Sequence, residues 1–115
     1  MSSDLADLAA LDALAARAID RSPVTTDGPE LAVLGARWTI ADGQLRLALP
    51  GAMRRTGAVA AFAGALADQL DHHPKIVLEY AGLALAINTH DANAITTLDL
   101  VYAARLEQWL RANAW

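Results

Sequence analysis

Residues 37–51 read RWTIADGQLRLALPG, and the fold class turns on this stretch. Asp42-Gly43 is a pair that tolerates positive φ at both positions, which a tight two-residue hairpin turn demands. Beyond it Leu45, Leu47 and Leu49 alternate with Gln44, Arg46 and Ala48, so one face of the second strand is apolar and the other is not. Pro50-Gly51 ends that strand. A hairpin of this kind makes its two strands antiparallel and leaves one face to be covered.

Working outward, the period changes after Pro50. Val59, Phe62, Ala63, Leu66 and Leu70 share a helical face within a run from about Thr56 to Asp71 that contains no proline. This helix is expected to stop before Pro74, because proline disfavours helical geometry in the residue preceding it. Ile76, Leu78 and Tyr80 then alternate with Val77 and Glu79 as a third strand, with Ala81-Gly82 as its turn. Leu83, Leu85 and Ile87 form the apolar side of a fourth. Residues 90–96, HDANAIT, read as a loop. Thr96 and Asp99 have capping-box spacing and start a last helix over about Thr97–Arg111.

Toward the N-terminus, residues 21–36 are expected to be a loop, since RSPVTTDGPE carries two prolines and a glycine. Residues 3–20 read as a helix with Ser3 or Asp4 as N-cap. Leu5, Leu8, Leu11 and Leu14 recur every third position, which gives a broad apolar stripe. The expected order is helix-strand-strand-helix-strand-strand-helix: an α+β domain over residues 1–115, with a four-stranded antiparallel sheet and helices packed on one face.

Composition narrows the function classes. The chain has 115 residues, nine Lys plus Arg and a net charge of −4, with no basic run beyond Arg54-Arg55, so nucleic-acid binding is not expected. Cysteine is absent, which removes disulfides, thiolate chemistry and Cys-ligated zinc. Asp4, Asp7, Asp12 and Arg17 interrupt the Leu/Ala-rich start, so neither a signal segment nor a membrane span is expected, and a cytoplasmic location is the default.

All three histidines, His72, His73 and His90, fall between residues 71 and 91. Adjacent helical side chains point roughly 100° apart, so His72 and His73 are poorly placed to share a metal ion, and none is expected. Two readings stay open. The pair can simply end a helix, where the dipole favours imidazole. Alternatively, imidazoles titrating near neutrality can give and take protons at a common cleft. Asp99 divides in the same way, between helix cap and orienter of an imidazole.

The segments ADQLDHHP, EY and NTHDANAITTLD resemble the pattern of the pterin-4a-carbinolamine dehydratase family. In that pattern an acidic residue precedes His-His-Pro, followed by Tyr, Thr-His, a Gly-rich turn, Leu-Thr and Asp. Asp68, His72, His73, Pro74, Tyr80, Thr89, His90, Thr96 and Asp99 stand at those positions, and Trp38 matches an aromatic before the first hairpin. Where the family has the Gly-rich turn, this chain has Asn93-Ala94.

The resemblance implies the same helix and strand order. It also implies a dehydratase that expels water from carbon 4a of a 4a-hydroxytetrahydropterin and yields quinonoid dihydropterin, restoring a hydroxylase cofactor without a metal or cofactor of its own. By that resemblance His72, His73 and His90 are the acid-base candidates, His72 and His90 foremost. Asp68, Asp71, Asn88, Thr89 and Asp99 would line or bind the pterin, and the chain would form a homodimer or homotetramer. The competing expectation is a catalytically silent relative that serves as a protein-binding dimerisation or assembly factor.

Overall fold

The computed structural model describes residues 2–24 and 28–115. The first helix already begins at Ser2, so Ser3 and Asp4 lie within it and neither is the N-cap expected from the sequence, while the side chain of Leu5 and residues 25–27 of the expected loop lie outside the described residues.

Four strands form one antiparallel sheet in the order β1-β2-β4-β3. They are β1 (Trp38–Ala41), β2 (Gln44–Pro50), β3 (Lys75–Glu79) and β4 (Gly82–Ile87). Asp42 and Gly43 both have positive φ, 55° and 71°, and Ala41 pairs with Gln44, so the two-residue turn sets the β1–β2 register as the sequence predicts. The alternation of β2 is realised: Leu45, Leu47 and Leu49 are buried, while Ala48 is exposed. Leu83, Leu85 and Ile87 of β4 pair with Leu49, Leu47 and Leu45, which gives the sheet one continuous leucine-rich face.

The second hairpin turns one residue earlier than expected. Tyr80-Ala81 makes the turn, and Gly82 is the first residue of β4, paired with Glu79 and Pro50. The reason is space, since a Cβ at Gly82 would sit 2.4 Å from the Leu49 carbonyl oxygen. Tyr80, expected in the third strand, is 92% exposed at the tip.

Helices cover the leucine face. α3 (Met53–Leu70) follows β2 and packs on β3 and β4, and α4 (Thr97–Ala112) packs on α3. Val59, Ala63 and Leu66 of α3 are buried, Phe62 stacks on Trp109 at 5.0 Å, and the Tyr102 hydroxyl donates to the Ala63 carbonyl at 2.6 Å. α1 (Ser2–Ala15) lies against α4 through Leu11 and Leu14.

Two expectations at the N-terminus are corrected. The helix ends at Ala15 rather than residue 20, because the chain then runs extended beside the start of α4. There Asp20 O accepts Leu98 N, and Ile95 O accepts Val24 N. The 21–36 segment is not all loop, since Pro29–Leu34 form α2. Pro29 sits at the first turn, where its missing N–H costs nothing, and Leu34 is fully buried. The Pro and Gly that mark a loop also mark a helix start, and burial of Leu34 decides between them.

Candidate active site

The C-terminus of α3 is a Schellman turn. His72 N donates to Ala67 O at 3.0 Å and Asp71 N to Asp68 O at 3.3 Å, with Asp71 left-handed at φ 49°, ψ 48°. Aspartate tolerates that region better than most residues. The turn reverses the chain and sends successive side chains to different environments. Asp71 and His73 are exposed, whereas His72 is only 8% exposed.

His72 Nε2 lies 2.6 Å from Asp99 Oδ1, and Asp99 is fully buried at the third position of α4. The other carboxylate oxygen, Oδ2, accepts the Thr89 hydroxyl at 2.8 Å and the Thr96 backbone N–H at 2.8 Å. Thr89 and Thr96 hydroxyls are 2.7 Å apart. Because the single Thr89 hydroxyl hydrogen goes to Asp99, Thr96 Oγ1 is left to donate to Thr89. The two readings of Asp99 are thus compatible: Oδ2 completes the capping box, and Oδ1 faces the imidazole. With the carboxylate as acceptor, His72 Nε2 carries the hydrogen. Nδ1 makes no hydrogen bond among the described residues.

The other candidates are placed differently. His73 Nε2 lies 3.0 Å from Asp68 Oδ1 in an exposed pair on the turn. His90 is exposed and opens a short 3-10 turn, His90–Ala92, directly after buried Thr89. Asn93, left-handed at φ 49°, closes that turn, and Ala94 bridges back to Thr89 in an antiparallel pair. The left-handed residue is therefore Asn93, which accepts that conformation, and Ala94 is spared it. Asn88 is half-buried at the end of β4.

The structure brings His72, Thr89 and Asp99 into direct contact, seats His90 next to Thr89, and leaves the His73–Asp68 pair outside that network. Thr96 is a member of the network that the candidate set lacked, although its capping-box spacing to Asp99 was visible. No cluster of three potential metal ligands occurs among the described residues, and none of the helices described there is long and apolar enough to cross a membrane. A groove of about 590 Å³ lies on the open face of the sheet and is not lined by any histidine.

Comparison with known proteins places this residue pattern and fold in a family. Residues 29–109 match the family model described as pterin 4 alpha carbinolamine dehydratase, and the chain belongs to that family. Candidate pterin-4-alpha-carbinolamine dehydratases are among its curated relatives. The one from Paracidovorax citrulli is 40% identical over 48 residues (42% of this chain, 41% of that protein). The one from Herpetosiphon aurantiacus is 30% identical over 84 residues, covering 58% and 79% respectively. Against the first of these the chain spans under half of the relative's length. The crystal structure of a transcriptional coactivator/pterin dehydratase from Brucella melitensis shares the fold, with a TM-score of 0.69 at 23% identity over 76% of this chain and 97% of that one.

Proposed function

We propose that the chain is a 4a-hydroxytetrahydropterin dehydratase in which His72, positioned by Asp99, is one proton-transfer group and His90 the second. The observation that carries this reading is the 2.6 Å contact between His72 Nε2 and a fully buried Asp99 whose other oxygen is held by two donors. A carboxylate fixed in this way sets the ring orientation and tautomer, and it stabilises the imidazolium formed when Nδ1 takes a proton.

The reaction needs only proton transfers. One group removes the proton from ring nitrogen N5, another protonates the 4a-hydroxyl, and water leaves as the C4a=N5 double bond forms. Positioned general acid-base groups are worth roughly 10²–10⁴-fold in rate. Exposed His90 and His73, the Asp68 and Asp71 carboxylates and the Asn88 amide supply the polar contacts for the pterin ring. Thr89 and Asp99 act from beneath, as positioning residues.

Purified protein should accelerate the loss of freshly generated 4a-hydroxytetrahydropterin, followed by stopped-flow absorbance. His72→Ala and His90→Ala should each lower the rate at least tenfold. A wild-type protein that leaves the spontaneous rate unchanged would overturn the proposal in favour of a silent, protein-binding relative.

A further inference from the structure

The groove on the open sheet face is chemically one-sided. Its floor is Ala48, Ala84 and Ala86, and among its described lining residues are three of the chain's nine Lys and Arg and none of its thirteen Asp and Glu. In a chain of net charge −4 that is a local reversal of sign. Arg37 is committed to buried Glu107 at 3.0 Å. Lys75 is exposed and has no ion pair among the described residues. Arg46 is held by Gln44, by the Ala41 carbonyl at 3.3 Å and by an exposed pair with Asp42 at 3.3 Å, and an incoming anion displaces that exposed pair readily.

Register ties this groove to the histidine end of the molecule. Lys75, Ala86 and Arg46 form one cross-strand row on the outer face. Continuing the alternation of β4 by two residues places Asn88 on the same face, roughly 7 Å from Ala86. His73 stands two residues before Lys75 on the neighbouring strand. A ring seated at Asn88 and His73 therefore points any side-chain substituent along the alanine floor toward Arg46 and Lys75.

We infer that the groove is an anion subsite, and that the ligand of the histidine end is a pterin bearing a carboxylate or phosphate on its side chain. The identity of the ring rests on the dehydratase reading, whereas the charge of the tail rests on the groove alone. Three stable fluorescent probes separate the two: 6-hydroxymethylpterin, its phosphate monoester, and 6-carboxypterin. Phenyl phosphate serves as an anion without the pterin ring. Fluorescence titration at low salt should show at least one anionic pterin binding tenfold or more tighter than the neutral one, and which of the two does so identifies the anion. Lys75→Ala and Arg46→Gln should each collapse that ratio at least threefold, and Lys75→Arg should preserve it. Equal affinity for neutral and anionic pterins would overturn the inference and leave the dehydratase reading standing. Phenyl phosphate binding that depends on Lys75, with no pterin bound at all, would uphold the anion subsite and overturn the ring. No binding by any of the four probes would overturn both.

Discussion

At the scale of single residues, Asp99 serves three neighbours through two oxygens. Asp99→Asn keeps its volume but replaces one acceptor with a donor, so it cannot serve both His72 and the Thr89–Thr96 pair. If His72 transfers a proton, this variant should lose at least tenfold in dehydration rate. It should also lose about 1–2 kcal/mol of stability from the weakened cap and the unmatched buried polar groups, read by urea denaturation. Tyr102 is the other buried group with a readable consequence, since burial raises its phenol well above the ordinary value. A phenol neutral in the fold and titrating near pH 10 when unfolded stabilises fully below that pH, and this contribution is lost as pH rises beyond it toward the folded value. Tyr102→Phe should therefore start about 1 kcal/mol less stable, through loss of the hydrogen bond to Ala63, and its urea midpoint should fall less than that of the wild type between pH 9 and 11.

At the scale of elements, the junction of β2 and β4 depends on Gly82. Its φ is not in the left-handed region, so the constraint is distance rather than conformation: a Cβ there would meet the Leu49 carbonyl at 2.4 Å and Pro50 Cα at 3.1 Å. Both obstacles are backbone, which cannot swing aside. Gly82→Ala should cost about 1–3 kcal/mol by overpacking. Amide hydrogen exchange should show the loss concentrated at the β2–β4 end, whereas a uniform or negligible change would contradict this. The α3 C-terminus is a second such junction. Asp71 alone adopts left-handed geometry there, and the turn separates buried His72 from exposed His73, although the two are adjacent in the chain.

At the scale of the whole molecule, Glu107 ties together parts that are distant in sequence. It is 1% exposed, accepts Trp38 Nε1 at 2.9 Å and Arg111 Nε at 2.8 Å, and forms an ion pair with Arg37 at 3.0 Å, which joins the start of the sheet to α4. Arg37 also donates to the Trp115 carbonyl and so pins the C-terminus. Glu107→Ala would strand the indole N–H of buried Trp38, while the two partly exposed arginines can turn to water. A loss of roughly 2 kcal/mol is expected, read as a lower urea midpoint, with near-ultraviolet circular dichroism reporting a changed Trp38 environment. The groove belongs to this scale as well, since its floor and two of its three cations, Arg46 and Lys75, come from strands that only the sheet places side by side.

Periodicity, turn chemistry and cap spacing in the sequence determined the strands, three of the four helices, the first hairpin's register and the capping box at Thr96 and Asp99. Each of these is a local property, since a period of two or 3.6 residues, a left-handed pair or an N-cap is written within a few positions. The residue types of the candidate site were legible in the same way, and so was the family pattern they form. Tertiary structure alone decided which imidazole is buried, that Thr89 and Thr96 hold the carboxylate from beneath, that Pro29–Leu34 coil into a helix, and that cations gather on the open face. Those outcomes depend on strand register and on one reversing turn, which bring residues tens of positions apart within hydrogen-bond distance, and no local period encodes such convergence.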